Sequence, residues 1–299
     1  MKSLILLIAL LLCSCASYKP QGYITYVKSN EVVNRATLQL KLPSGPVVFL
    51  GKADLTDNSG GGAQMMYPGY NAAGFLAAIF THAAISGSVQ NKQKTDRQNL
   101  ANKVLEPYRL VIEKLSNPAL MDDNLSVWQP NEVAFSLARF DAAKKYRQDE
   151  IILECLPAFI LSANEETLVL RTTVAFYHVG QEKNPIYQNQ IEVFSDRLVT
   201  DKPREYWLNE NGAEFTVAVK WLFAESMRIA VDDAFTRIDQ APRPDENFKY
   251  VEGTEIGFER GSRVGTSENR ILIRTLRGWL KSIPINRLTL PLSPELALE

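Results

Sequence analysis

Histidine and cysteine are scarce in this chain of 299 residues, which contains two histidines and three cysteines. His82 and His178 are far apart, H-E-x-x-H does not occur, and the cysteines lack paired zinc-ligand spacing. The serine of GSRVG, Ser262, is misplaced for a G-x-S-x-G nucleophile elbow. The glycines at 60–62 are not followed by the Lys-Ser or Lys-Thr of a phosphate-binding loop. We therefore expect no metal, no cofactor and no catalytic motif.

An excess of one charge is also missing, because 33 Lys and Arg residues nearly balance 34 Asp and Glu residues. Without a basic block, a nucleic-acid partner is not expected. Two adjacent acid pairs, Asp122-Asp123 and Asp232-Asp233, could suggest acid-base chemistry. Neighbouring residues on a helix point in different directions, so Asp232 and Asp233 are not expected to face one substrate. Carboxylates that converge from distant positions leave a hydrolase open as an alternative.

Near the N-terminus, the hydrophobic run Leu4 to Leu12 follows the single positive charge of Lys2. This layout is typical of an export signal. As a helix, the run would cover about 14 Å, roughly half of a bilayer core, so we do not expect a permanent membrane span.

The residues that follow the apolar run are Leu12, Cys13, Ser14 and Cys15. They resemble the lipobox of bacterial lipoproteins, in which the leader is cut before the modified cysteine. The resemblance implies cleavage between Ser14 and Cys15 and acylation of Cys15. It also implies anchoring to the outer membrane, facing the periplasm, because position 16 is Ala16 and not Asp; the inner membrane is the alternative.

Cys155 would then be the one remaining thiol, and it lies in the apolar run IILECLPAFIL. A single thiol cannot form an internal disulfide. We expect a buried, unreactive cysteine in the core.

After a short tether at Ser17 to Gln21, two runs have the composition of strands, Tyr23–Lys28 and Arg35–Leu42. A PSGP turn follows the second run. These features predict a small antiparallel β unit.

The stretch NAAGFLAAIFTHAAISGSV carries a stripe of small residues at helical spacing: Ala73, Ala77, Thr81, Ala84 and Ser88. Such a stripe lets another helix approach closely. It indicates a packing helix inside the domain, an oligomer contact, or insertion into a bilayer. The apolar length falls short of about 20 residues, which disfavours a true span. Pro107 should kink or divide the helix that continues from this stretch.

The following part predicts a helix at Glu132–Tyr146, then strands at Ile151–Leu161, Thr167–Val179 and Ile186–Phe194. Pro157 suggests that the first of these strands is an edge strand or contains a bulge. A final helix should begin at Asn211 as N-cap, with Glu214 as its reciprocal partner. The result is an α-β-β-β-α antiparallel sheet unit. Its element order is similar to that of auxiliary lipoproteins of lipid-exporting ABC transporters and of the curli-secretion lipoprotein.

A linker at 241–250 leads to a β-rich C-terminal piece with strands at Glu252–Arg260 and Asn269–Ile285. The latter holds four cations that could form a lipid-headgroup patch or an ordinary solvated face, and we predict a solvated face: Arg270, Arg274, Arg277 and Lys281.

The sequence therefore predicts an α+β protein in five parts. They are a signal peptide at 1–14, a tether and β unit at 15–57, a Gly-rich loop and kinked helix at 58–121, an α+β domain at 122–240, and the C-terminal piece at 241–299. The expected function is that of a non-enzymatic, lipid-anchored envelope assembly or transport accessory protein. It would be bound to the membrane through acyl chains and would contact a protein partner or itself. An oligomerising, bilayer-inserting assembly protein and an envelope-polymer hydrolase are the alternatives.

Overall fold

The computed structural model describes residues 24–29, 37–52, 96–127, 136–235, 238, 243–267 and 269–289. These residues form one mixed sheet of eleven strands with helices packed on one face. The predicted α+β class is confirmed. The division of the chain into five parts stays a prediction.

Strands from both the N-terminal and the C-terminal described parts of the chain join this sheet. Their order across the sheet is β4-β2-β5-β6-β7-β11-β10-β9-β8, with β3 also beside β5 and β1 also beside β7. The strands are β1 (Val27–Lys28), β2 (Thr37–Lys41), β3 (Val48–Gly51), β4 (Ser136–Arg139), β5 (Ile151–Leu161), β6 (Leu168–His178), β7 (Tyr187–Phe194), β8 (Glu246–Glu252), β9 (Glu255–Ser267), β10 (Arg270–Thr275) and β11 (Leu280–Pro284).

The three central strands, β5 to β7, are antiparallel neighbours, as predicted. Along β6, side chains on one face enter the main core, as expected from the period of two in a strand: Leu168, Leu170, Val174 and Phe176. Arg171, between them, pairs with Glu192 on the other face.

Pro157 lies inside β5, a strand with neighbours on both sides. On one of these sides, β2 pairs with residues up to Glu154, and β3 pairs only from Ala158 onward. The Leu161 carbonyl accepts from Lys52, so odd-numbered residues of β5 direct their backbone groups toward β2 and β3. The missing N–H of Pro157 therefore falls in the gap between two partner strands, where the sheet has a local edge.

The prediction of a small antiparallel β unit near the N-terminus is wrong, because these strands do not form a separate unit. Both β2 and β3 pair in parallel with β5, and β1 pairs with β7. The long β5 offers two successive stretches of free edge on one side, and pairing there buries Leu38 and Leu40 of β2 completely.

The prediction of a helix at Glu132–Tyr146 is also wrong for the part of that range that the structure describes. Residues Ser136–Arg139 form β4, which pairs in parallel with β2, and turns follow up to β5. The turn is held by stacking of Phe140 on Tyr146 and by a hydrogen bond from the Asp141 amide to the Tyr146 hydroxyl. Within the described residues, a strand thus stands where the first helix of the unit was predicted, and the predicted α-β-β-β-α order is not observed there.

The helices on one side of the sheet include α1 (Arg109–Ile112), α2 (Asn117–Val127) and α3 (Pro203–Ala234), and residues 96–101 are also helical. A 3₁₀ stretch, Asn102–Tyr108, precedes α1 and contains Pro107, which confirms a break in the helix at this proline.

The final helix was predicted to begin at Asn211, but α3 begins at Pro203, and a backbone break divides it at Asn209 to Gly212. The predicted cap is not formed. Asn211 has a φ of 59°, in the left-handed region, whereas an N-cap residue is extended, and the Glu214 carboxyl accepts from the Tyr206 hydroxyl. Gly212 suits the break because its φ is 85° and a Cβ there would lie 2.4 Å from a methyl of Val111.

Two apolar layers hold the sheet. On the first face, the second half of α3 packs on β5 to β7 and buries Phe215, Leu222 and Met227. On the second face, Phe248 and Tyr250 of β8 pack across β7, β10 and β11. Strand β9 changes partner from β8 to β10 at Gly261, where a Cβ would lie 2.2 Å from the Arg274 carbonyl oxygen. Among the helices of the described ranges, none combines the length and apolar character that crossing a bilayer requires.

Candidate functional site

The first described segment, Ile24–Ser29, joins the sheet beside β7 and next to the turn between β10 and β11. The Trp279 indole N–H donates to the Ile24 carbonyl at 2.9 Å, and the Gln188 amide donates to the Thr25 carbonyl at 3.1 Å. The Ser29 amide donates to the Ile186 carbonyl at 2.8 Å. This segment follows the predicted tether, so these bonds determine where the tether reaches the domain.

A fully buried carboxylate, Asp233 of α3, lies behind this segment. Its Oδ1 accepts from Arg274 Nη2 at 2.7 Å, and its Oδ2 accepts from the Tyr187 hydroxyl at 3.0 Å and from Asn189 Nδ2 at 3.3 Å. Lys28 Nζ donates to the Asp233 backbone carbonyl at 2.5 Å and lies 4.0 Å from Oδ1. These five residues form the Asp233 cluster, which joins the N-terminal segment to α3, β7 and β10.

The turn after β10 completes the arrangement through Gly278. Its carbonyl accepts from Asn189 at 3.1 Å, and its φ is 83°. A Cβ at this position would lie 2.8 Å from Tyr26 Cβ, so the N-terminal segment packs directly against the glycine. The Arg274 guanidinium lies 5.4 Å from the centre of the Tyr26 ring, within cation–π distance.

Burial and the Asp233 charge determine the protonation states in this cluster. Burial and the nearby Asp233 carboxylate raise the pKa of Tyr187 well above its usual value, and the same two causes raise the pKa of Tyr26. Burial lowers the pKa of Lys28, although Asp233 opposes this. Burial alone would lower the pKa of Arg274, but its hydrogen bonds to Asp233 raise it. The cluster thus holds neutral tyrosines around a paired carboxylate and guanidinium.

A second ionic arrangement lies on the opposite face of the sheet, under β8. Glu192 and Lys281, each about 2% exposed, pair at 3.0 Å. Arg171 pairs with Glu192 at 2.7 Å, and Glu259 pairs with Lys281 at 2.7 Å. Burial would raise the pKa of Glu192, but Lys281 and Arg171 lower it to about 2. Burial would lower the pKa of Lys281, but Glu192 and other neighbours raise it. Both groups therefore stay charged at neutral pH.

Polar side chains also tie together the far end of the sheet, where β7 ends at Phe194. Glu165, in the turn between β5 and β6, accepts from Arg204 at 2.6 Å and from the Tyr108 hydroxyl at 2.6 Å. Arg287 donates to the Ser195 carbonyl at 2.7 Å. These bonds attach α3 and the chain after β11 to the ends of the central strands.

These clusters are built to hold strands in place. Each buried carboxylate faces a cation, and the cited pKa directions keep Glu192, Lys281 and Tyr187 in one protonation state near neutral pH. General acid-base catalysis needs a group whose pKa lies near the working pH. In the described ranges, no group of three His, Cys, Asp or Glu side chains could hold a metal ion.

Asp232 and Asp233 point in different directions, as their spacing predicts. Asp232 pairs with Arg228 on the surface at 2.7 Å, whereas Asp233 points into the core. Asp122 and Asp123 lie in α2 and not in a turn, and they pair with Arg139 and Lys220 respectively.

Cys155 is fully buried in the main core, as predicted, and burial raises the pKa of its thiol. His178 lies at the end of β6 and is partly exposed.

The solvated face predicted for the cations near the C-terminus is wrong, and these residues do not form a lipid-headgroup patch either. Lys281 is buried on the second face, whereas Arg274 enters the Asp233 cluster on the first. Arg270 is also buried and stacks over Trp221 of α3. Of the four, Arg277 is exposed, at the turn, where it lies over Trp279.

Several predicted site residues lie outside the described residues. These are the lipobox, the small-residue stripe, one histidine and the glycine run: Leu12, Cys13, Ser14, Cys15, Ala73, Ala77, Thr81, Ala84, Ser88, His82 and the glycines at 60–62. Their assignments stay predictions.

Sequence reasoning missed the residues that hold the N-terminal segment, above all Asn189, Trp279 and Asp233. One signal was present, because R-G-W at 277–279 places a glycine and an aromatic residue between two strand-like runs, which is typical of a tight turn. The partners lie 41 to 255 residues apart in sequence, so no local pattern connects them.

Comparisons of the chain with models of known protein families, with curated proteins and with solved structures found no match.

Proposed function

We propose that this protein is a lipid-anchored accessory protein of the bacterial envelope, held on the periplasmic face of the outer membrane through Cys15. It acts in envelope assembly or transport by binding another protein or itself, without catalysis of its own. The observation that carries the proposal is the fastening of Ile24–Ser29 to the Asp233 cluster. A domain that binds the chain a few residues after a lipidated cysteine is held close to the membrane that carries the lipid.

The length of the tether supports this role. Nine residue steps separate Cys15 from Ile24. At about 3.3–3.6 Å per residue, the domain lies at most about 30 Å from the anchor. A reach this short confines the protein to partners at or near the membrane surface and raises its effective concentration there.

The anchor is tested by a matched pair of cysteine variants. Cys15→Ala removes the acylated residue, whereas Cys13→Ala changes a tolerant lipobox position and leaves Cys15 in place. We expect Cys15→Ala protein in the soluble fraction and Cys13→Ala protein in the membrane fraction. Mass spectrometry of the wild-type N-terminus should find an acylated Cys15. Retention of the Cys15→Ala variant in membranes would overturn the proposal.

We further propose that the stripe from Ala73 to Ser88 supplies the contact with the partner or with a second copy. Small residues permit close helix approach, so Ala77→Leu and Ala84→Leu should block it. If the contact is between copies, light scattering of the purified protein will show an oligomer in the wild type and a monomer in both variants. Thr81→Ala keeps the stripe small and serves as the control. An oligomer of unchanged mass in the leucine variants would contradict this assignment.

A further inference from the structure

The outward side of the β8–β9 hairpin is an exposed surface that the ionic clusters do not use. Phe248 and Tyr250 of β8 point inward, so the alternate residues of both strands point outward. Three cross-strand pairs form this layer, which we call the outer ribbon: Asn247 with Arg260, Lys249 with Phe258, and Val251 with Ile256.

The composition of the outer ribbon is unusual for a solvated strand pair. Phe258 is 70% exposed and Ile256 is 45% exposed. The two cations are Arg260 and Lys249, whose Nζ lies 5.4 Å from the centre of the Phe258 ring. None of the six residues is acidic. The layer therefore combines exposed apolar side chains with positive charge.

The outer ribbon is continuous with the place where the tether reaches the domain. The Leu276 amide donates to the Arg260 carbonyl at 3.3 Å, and the Leu276 side chain is 64% exposed. Two residues later, Gly278 packs on Tyr26, and Trp279 binds the Ile24 carbonyl. Arg260 and Leu276 thus lie at the end of the sheet from which the chain leads toward Cys15. The ribbon runs from there to Val251 and Ile256 at the other end of the sheet, where the Gly253 amide donates to the Thr167 hydroxyl at 3.0 Å.

We propose that the outer ribbon, together with Leu276, rests on the surface of an anionic lipid bilayer and orients the domain on its membrane. This inference depends on the proposed anchor at Cys15. Phe258, Ile256 and Leu276 enter the boundary between headgroups and acyl chains, and Lys249 and Arg260 lie among the phosphates. Each cation near an anionic leaflet favours the docked orientation about fivefold, so the two together contribute about 25-fold.

The test uses the full lipidated protein in vesicles of phosphatidylglycerol and phosphatidylcholine with brominated acyl chains. Leu276→Cys carries a fluorescent label, and Val217→Cys carries the same label as a matched control. Val217 is 61% exposed on α3, which packs on the first face of the sheet, whereas the outer ribbon lies beyond the second face. Cys155 is buried and does not compete for the label.

We expect quenching of the label at 276 and not at 217. Lys249→Gln combined with Arg260→Gln should lower the ratio of docked to undocked protein about 25-fold. Lys103→Gln combined with Lys114→Gln removes two exposed cations elsewhere and should leave the ratio unchanged.

Flotation of the same vesicles separates failure of the inference from failure of the anchor. If the protein floats with the vesicles and the label at 276 is not quenched, or both labels are quenched equally, the inference is wrong and the anchor stands. If a label at 276 is already shielded without lipid, another segment of the chain covers the ribbon and the inference is wrong. If the protein does not float, both proposals fall.

Discussion

Glu192→Gln removes one negative charge from the second face of the sheet and keeps the size of the side chain. The change leaves Lys281 and Arg171, which lie 3.0 Å and 2.7 Å from the Glu192 carboxylate, with Glu259 as the remaining acid of the arrangement. Breaking a buried ion pair by removal of one partner typically costs about 3–5 kcal/mol. The fall of the Glu192 pKa from 4.5 to about 2 corresponds to about 3 kcal/mol through proton linkage. We therefore expect the free energy of unfolding to fall by about 3 kcal/mol at pH 7.

The pH dependence of this loss has a definite sign. The pKa of Glu192 is lower in the folded protein than in the unfolded chain, so its stabilisation is complete above about pH 4.5 and disappears as the pH falls through 2. Gln resembles the protonated acid. The difference between wild type and Glu192→Gln should therefore shrink toward zero between pH 4.5 and pH 2.

Urea unfolding followed by tryptophan fluorescence measures both quantities on soluble protein that begins at Ala16. Glu113→Gln is the control, because Glu113 is exposed and its i,i+4 pair with Arg109 is worth less than about 0.5 kcal/mol. A loss below about 1 kcal/mol for Glu192→Gln at pH 7 would refute the reasoning from burial. A loss of the same size at pH 7 and pH 3 would refute the assignment of the effect to the Glu192 charge.

Three further changes test other parts of the structure. Asp233→Asn should lower the free energy of unfolding by about 3 kcal/mol and speed hydrogen exchange at 24–29; unchanged exchange there would contradict the role of the cluster. Gly278→Ala should cost at least about 1–2 kcal/mol in urea unfolding because of its positive φ and its contact with Tyr26, whereas Gly45→Ala, with open space around it, should be near neutral. The thiol of Cys155 should react with a thiol reagent at pH 8 only after unfolding, and reaction of the native protein would contradict its burial.

The sequence predicts the central strands well because their pattern is local. The predicted and observed bounds of β5 coincide at Ile151–Leu161, and the alternation along β6 identifies the side chains that face α3. In a strand with one face against a layer of helices, side chains alternate between the two faces, so consecutive residues show the pattern. Cys155 was predicted to be buried for the same reason, from the apolar run around it.

Pairing between distant strands was not predictable in this way. The apolar spacing at 132–146 fits a helix, but parallel pairing of β4 with β2 about 100 residues away prevails over that local pattern. Arg274 and Lys281 look like surface cations in the sequence, yet each is neutralised by an acid that the fold brings from another element. A buried charge is tolerated when its partner is present, and the sequence does not show which residues will be partners.

The position of β1 has a mechanical consequence. This short strand pairs with β7, and β7 in turn lies between β6 and β11 in the interior of the sheet. If Cys15 is acylated as we propose, tension on the N-terminus would act on the interior of the sheet and not on a strand at its rim. It would load the hydrogen bonds that join Ile24 and Lys28 to the buried residues Trp279 and Asp233.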